Sequence, residues 1–169
     1  MAPNTQRYDY TYMYTNLCNK ERQASPDITG TIYDLLTRDK KFSKTVKMVN
    51  LANLQGVLTR YAERSGLTMF VTEDKNIPDS FLADLDLFKA ENVINAYLIP
   101  GVASPEYLKE NGSAVYIPRK YHYNNPMIVE VNDQGEILVN KVGKLIGSIS
   151  ANNGYIHVLD NLAQVTYIN

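Results

Sequence analysis

The sequence predicts an α+β domain in which several helices pack against a set of antiparallel β-strands. Helical periodicity recurs between residues 27 and 112, whereas short apolar runs separated by Asn- and Gly-containing turns fill residues 114–159. Helices followed by a β-meander are typical of α+β proteins, not of a doubly wound parallel sheet. The length of 169 residues corresponds to one domain.

The composition excludes several classes of function. A net charge of −1 with both signs scattered gives no basic surface for nucleic acid, so we expect no nucleic-acid partner. Cys18 is the only cysteine and His122 and His157 are the only histidines, which argues against an internal disulfide and a zinc enzyme. No apolar run approaches the length of a membrane-spanning helix, so we expect no membrane insertion. No cofactor is expected either.

Residues 1–26 form a tyrosine-rich segment, the N-terminal arm. Tyr8, Tyr10, Tyr12 and Tyr14 alternate with other residues, which is the period of a strand with one aromatic face. Two hypotheses remain open. The arm is either an edge strand on the domain's own core or a contact with a neighbouring chain, for which tyrosine is well suited.

The helical part of the domain begins at Asp27. Ile32, Leu35 and Leu36 share a helix face, and Thr31 with Asp34 resembles a capping box. A second, longer run predicts one helix that ends at Ser65-Gly66, with an apolar stripe of Leu51, Leu54, Leu58, Tyr61 and Ala62.

Further elements follow in order. Residues 67–71 predict a short buried strand, and Phe81, Leu85 and Phe88 predict another helix after Pro78. Ser104-Pro105 begins a short helix that Gly112 ends. The predicted strands of the last third are Ala114–Ile117, Met127–Val131, Glu136–Val139, Lys144–Ile149 and Tyr155–Leu159. Turns are predicted at residues 132–135 and 152–154.

Three segments carry a family resemblance. Residues 153–160 (NGYIHVLD) resemble the second fasciclin motif, residues 68–74 (TMFVTED) the first, and residues 92–101 (NVINAYLIPG) the central segment. The chain therefore resembles a fasciclin-like domain from about Asp27 to Val165, within a domain assigned to residues 27–169. The resemblance implies a wedge of antiparallel strands packed with helices, no catalysis, and structural roles for the motif residues Thr68, Phe70, Asn153, Gly154, His157 and Asp160.

Two positions depart from the pattern of adhesive family members. Tyr97 is followed by Leu98 where many members carry a Tyr-His pair, and Ser148-Ile149 occupies the place of an Asp-Ile pair. Integrin-type adhesion is therefore not expected from this chain.

No catalytic arrangement is predicted. His157 is expected to be a hydrogen-bonded structural residue, and Asp160 is expected to end its strand by accepting backbone N–H bonds. No Gly-x-Ser-x-Gly elbow occurs, and residues 143–147 lack the ending of a phosphate loop. Glu73, Asp74 and Asp79 are interpreted as a solvated turn and helix start and not as a metal site.

The loop at residues 119–126 is the candidate contact loop of the domain body. Arg119, Tyr121 and Tyr123 belong to the residue types that dominate interface hot spots, although a solvated connection is the alternative. Nothing in the sequence supports glycan binding, and the Asn111-Gly112-Ser113 sequon matters only in a secreted protein.

These observations predict a non-catalytic structural subunit that binds other proteins in a larger assembly, for example a minor structural protein of a large virus. The residues after Met1 lack the basic and apolar segments of a signal peptide, so an intracellular or virion location is expected. The alternative is an extracellular adhesion or matrix module whose signal peptide is missing.

Overall fold

The computed structural model describes residues 30–59, 66–119 and 126–161. The N-terminal arm lies outside the described residues. Within them, the helices are α1 Ile32–Arg38, α2 Ser43–Leu51, α3 Gln55–Thr59, α4 Asp79–Ala83, α5 Leu87–Ala96 and α6 Pro105–Asn111, with short 3-10 helices at Lys40–Phe42 and Asp74–Asn76. None of the described helices is long and apolar enough to cross a membrane.

Seven described strands form one mixed sheet. They are β1 Leu67–Thr72, β2 Leu98–Pro100, β3 Ala114–Tyr116, β4 Met127–Val131, β5 Ile137–Val139, β6 Gly143–Ala151 and β7 Gly154–Leu159. Their order across the sheet is β2-β1-β7-β6-β5-β4-β3. The α+β class is confirmed.

One strand pairing differs from the antiparallel set that the sequence predicts. β1 pairs with β7 in parallel, with Leu67 beside Gly154 and Thr72 beside Leu159. The other pairings are antiparallel. Turn residues fix the direction of strands that a short loop joins, but β1 and β7 lie far apart in the chain and no turn sets their direction.

The two outer strands of the sheet approach each other. The backbone N–H of Arg119, just beyond β3, donates to the carbonyl oxygen of Leu98 in β2 at 2.6 Å. Apolar residues fill two cores: one between the helices and the β1–β7 end of the sheet, and one around Tyr116, Met127 and Val139.

The single long helix predicted to end at Ser65-Gly66 is wrong, because the chain forms two separate helices, α2 and α3, in this region. Asn53 has a φ of 59°, and Leu54 N–H donates to the Val49 carbonyl while Asn53 N–H donates to that of Asn50. This is a Schellman motif, which ends α2 before α3 begins. Leu51 is consequently exposed while Leu54 and Leu58 are buried; Tyr61 and Ala62 lie outside the described residues.

The single helix predicted from Phe81, Leu85 and Phe88 is wrong, because this segment forms two helices, α4 and α5. Asp86 accepts a hydrogen bond from Lys89 N–H at 2.8 Å and caps α5, so the helical phase starts anew after Leu85. The buried face of α5 is then Ala90, Val93 and Ile94. Phe88 precedes Ala90 by two residues, roughly 200° around the helix, and faces solvent.

Candidate interaction surface

Thr68 in β1 holds the loop that follows β2. Its fully buried hydroxyl donates to the carbonyl oxygen of Gly101 at 2.7 Å and accepts from the backbone N–H of Ala103 at 2.9 Å. Both backbone groups are thereby satisfied inside the protein, where a lost partner would be costly. Thr68, a residue of the first motif, thus connects strand β1 to the loop after β2 through buried hydrogen bonds.

His157 in β7 joins the same loop from the other side. Its Nε2 lies 2.7 Å from the carbonyl oxygen of Ala103, and its Nδ1 lies 2.7 Å from Ser148 Oγ in β6. Because a carbonyl can only accept, Nε2 carries the proton and Nδ1 accepts from Ser148 in the neutral ring. The rings of Phe70 and Tyr155 lie 5.1 and 5.7 Å away between centroids.

Burial lowers the pKa of His157 to about 4, against the opposing effects of the Ala103 carbonyl and the Glu106 charge. A hydroxyl hydrogen-bonded to an imidazole is the arrangement of an activated nucleophile. A general base works best when its pKa is near the working pH, and this imidazole is a weak base at neutral pH. The Ser148–His157 pair therefore stabilises the β6–β7 pairing and does not favour catalysis.

Asn153 and Gly154 fix the turn between β6 and β7. Asn153 Oδ1 accepts from Ile32 N–H at 2.9 Å, and its Nδ2 donates to the Leu58 carbonyl at 2.9 Å. A Cβ on Gly154 would lie 1.7 Å from the carbonyl oxygen of Leu67. The turn therefore ties α1 and α3 to the sheet and permits the close approach of β1.

Asp160 lies at the other end of the β6–β7 pair. Its Oδ1 accepts from Lys144 N–H at 2.8 Å, and its own N–H donates to the Lys144 carbonyl at 2.9 Å. The side chain extends the pairing beyond the end of β7. The motif residues Thr68, Phe70, Asn153 and His157 are therefore buried in the scaffold, and the partly buried Asp160 closes one end of it.

Of the seven predicted contact residues, Arg119 alone lies within the described residues. It is exposed, and its Nη1 donates to Asn95 Oδ1 at 3.0 Å. Arg119 therefore anchors the base of its loop on α5. The remaining six, Tyr8, Tyr10, Tyr12, Tyr14, Tyr121 and Tyr123, lie outside the described residues.

Glu73 and Asp79, two of the three carboxylates interpreted as a solvated turn and helix start, make ion pairs with lysines, and Asp74 accepts hydrogen bonds from the Ser43 hydroxyl and the Lys44 N–H. Glu73 pairs with Lys41 and Lys75, and Asp79 pairs with Lys44 at 3.0 Å. Across the described ranges, no group of three or more His, Cys, Asp or Glu side chains is arranged to hold a metal ion.

A small cavity lies between α2, α5 and β1, lined by residues that include Thr45, Thr72 and Tyr97. Its volume of about 20 Å³ is enough for a single water molecule and far below that of a ligand pocket. This cavity is therefore not a small-molecule site.

Large apolar side chains at the surface are the feature that the sequence did not reveal. Leu51, Leu87 and Phe88 are 38%, 55% and 64% exposed, and they belong to α2 and α5, which pack against each other. We call the adjacent residues Leu87 and Phe88 of α5 the helical apolar surface. Val142 and Ile146, at 48% and 50%, are exposed at the β5–β6 end of the sheet. The capping signal of Asp86 could have shown that Phe88 faces outward.

Comparisons with known proteins agree with this architecture. A solved structure of a FAS1 domain pair from the insect cell adhesion molecule Fasciclin I matches with a TM-score of 0.63 and 18% sequence identity. The match covers 82% of this chain and 52% of that chain, so this chain spans about half of the solved pair. No curated protein matches the sequence. The family model of the Fasciclin domain matches residues 40–164, well over half of the chain, and the chain therefore belongs to the fasciclin domain family.

Proposed function

We propose that this fasciclin domain is a non-catalytic protein-interaction module that serves as a structural subunit of a larger assembly. Fasciclin domains are generally interaction and adhesion modules. The observation that carries the proposal for this chain is the exposure of Leu87 and Phe88, two adjacent large apolar side chains.

Burial of the exposed apolar side chains in a contact with another protein would be favourable. Fully burying a Leu or Phe side chain contributes about 1.5–3 kcal/mol, and part of that is available from side chains that are more than half exposed. Two adjacent exposed apolar side chains, Leu87 and Phe88, favour a contact with another protein more than single scattered ones do. The helical apolar surface is thus a suitable centre for an interface, and the exposed chain neighbours Asp86 and Lys89 suit its polar rim.

Cell-surface or matrix adhesion is the second candidate. The solved neighbour belongs to an insect cell adhesion molecule, which favours this alternative. Its likeness at 18% identity supports the fold alone, and Ser148 and Leu98 replace residues that adhesive members carry. The comparisons lend no support to a viral particle as the assembly, and an intracellular location remains a proposal.

A pull-down from the native source tests the proposed function. Four chains are compared: the full chain, the chain without residues 1–26, Leu87→Ser with Phe88→Ser, and Val142→Ser with Ile146→Ser as a matched control. We expect a defined set of proteins to be retained by the full chain and by the control. Loss with the Leu87/Phe88 variant assigns binding to the helical surface, and loss with the truncated chain assigns it to the arm.

Equal capture of the same proteins by all four chains would contradict a role for either surface. Capture of no protein at all by the full chain would contradict the assembly hypothesis itself. The adhesion alternative predicts instead that beads coated with the full chain bind to cells and that the Leu87/Phe88 variant reduces this binding.

A further inference from the structure

The small cavity between α2, α5 and β1 lies where β1 extends past its neighbour in the sheet. β2 pairs with Leu67–Met69, and β1 continues to Thr72. Past that pairing, the backbone N–H of Phe70 donates to the Tyr97 carbonyl oxygen at 3.0 Å. Side chains of α2 and α5 lie here, at the place that a strand beside β1 would otherwise occupy. The cavity therefore borders a stretch of strand edge with which no further described strand pairs on this side.

One wall of the cavity carries a buried hydroxyl group without a partner. Thr72 lines the cavity and is 1% exposed, and its Oγ1 has no hydrogen-bond partner among the described residues. Such a group is unfavourable in the interior, because it has lost its hydrogen bonds to solvent and has gained none in the protein. A hydrogen-bonding group inside the cavity would remove this cost.

A second hydroxyl lines the cavity from α2. Thr45 is 3% exposed, and its hydroxyl donates to the carbonyl oxygen of Thr72 at 3.4 Å, a long distance for an O–H···O bond. Both hydroxyls can donate one hydrogen bond and accept others, and the carbonyl oxygen can accept a second one. The two threonines thus offer the two or more polar partners that a buried water molecule requires.

The size and charge of the cavity select the ligand. Its volume of about 20 Å³ exceeds the roughly 10–15 Å³ that one water molecule occupies and excludes anything much larger. None of the described lining residues is charged, so an ion would lose its hydration without compensation. A single neutral molecule that both donates and accepts hydrogen bonds fits the site.

We propose that the cavity binds one long-lived water molecule that bridges the Thr72 hydroxyl of β1 and the Thr45 hydroxyl of α2. The water supplies the partner that the Thr72 hydroxyl lacks within the protein and connects α2 to the edge of the sheet. It is an integral part of the fold, as buried waters with polar partners generally are. None of the lining residues belongs to the helical apolar surface, so the site is independent of the proposed interaction.

Oxygen-17 magnetic relaxation dispersion of the full chain tests the proposal, because it counts water molecules that stay bound for longer than the protein takes to tumble. Exchange of hydroxyl protons does not contribute to the oxygen signal. We expect the count to fall by one in the variant with Thr45→Val and Thr72→Val, which makes the cavity apolar at nearly constant volume. The control Thr72→Ser keeps the hydroxyl and should keep the water. Equal counts for the wild type and the double variant would overturn the proposal.

The Tm of the single variant Thr72→Val gives a second test, whose sign differs for a wet and a dry cavity. If the hydroxyl bonds to water, its removal takes a partner from that water and the Tm falls. In a dry cavity, valine replaces an unpaired hydroxyl with a methyl group and the Tm rises. We expect a lower Tm, with far-UV circular dichroism unchanged. A Tm equal to or above that of the wild type would contradict the bound water.

Discussion

The Nε2 of His157 donates to the carbonyl oxygen of Ala103 at 2.7 Å, deep in the fold. The side chain of His157 is fully buried, and burial lowers its pKa from 6.5 to about 4. The contact joins β7 to the loop after β2, which Thr68 holds from β1. A neutral imidazole is therefore part of the packing, and its protonation opposes folding.

Stability should consequently fall in mild acid. Between pH 6.5 and 4 the unfolded chain binds a proton at His157 that the folded chain does not, so the free energy of unfolding decreases as the pH falls through this range. The contribution is fully present above pH 6.5 and amounts to about 3 kcal/mol for the full difference in pKa. Urea unfolding at several pH values measures it. His157→Gln, which lacks the titrating group, should lose less stability over this range; equal losses would contradict the assignment.

Thr68→Val should lower the free energy of unfolding by about 2–3 kcal/mol, because it leaves the Gly101 carbonyl and the Ala103 N–H without their buried partner. Thr68→Ser keeps the hydroxyl and removes one methyl group, so it should cost about 1 kcal/mol. Chemical denaturation compares the two variants. A larger loss for the Ser variant than for the Val variant would show that packing outweighs the hydrogen bonds.

Asn153→Ala should lower the free energy of unfolding by about 2–4 kcal/mol, because it removes the links from the β6–β7 turn to Ile32 in α1 and to Leu58. Its neighbour Asn152 is the control, since Asn152 Oδ1 has no hydrogen-bond partner among the described residues. Asn152→Ala should change stability by less than about 1 kcal/mol. Thermal unfolding compares the stability of the two variants. Equal losses would contradict the claim that the Asn153 hydrogen bonds hold the turn against α1 and α3.

Gly154→Ala should cost more than about 3 kcal/mol or prevent folding, because the new Cβ would overlap the Leu67 carbonyl at 1.7 Å and force β1 and β7 apart. A Cβ at Gly147 in β6 meets no atom within 4 Å, so Gly147→Ala should be close to neutral. Soluble yield and Tm report the difference. A Gly154→Ala protein with the wild-type Tm would contradict the close approach.

Local signals in the sequence predicted the start of α1, both ends of α6 and most strands. The capping box of Thr31 and Asp34 is present, and Ser104, Pro105 and Gly112 delimit α6. β4 has the predicted bounds, because its apolar run and flanking turns are local features. The family resemblance is confirmed by the match over residues 40–164.

Features set by distant contacts could not be predicted in the same way. The parallel pairing of β1 with β7 and the short strand β2 depend on contacts between separate parts of the chain. The interruption at Asn53 was missed because an apolar stripe continues on both sides of it. Phe88 was grouped with Phe81 and Leu85 because one helix was expected where Asp86 begins a new one.

Site-specific photo-cross-linking tests the central claim, contact with other proteins through the helical apolar surface. A photoreactive phenylalanine replaces Phe88 in one chain and Val142 in a control chain, and both are irradiated in the native extract. We predict discrete cross-linked protein adducts at position 88 and few at position 142. Adducts at position 142 alone, or none at position 88 above the unirradiated background, would contradict an interaction surface on α5.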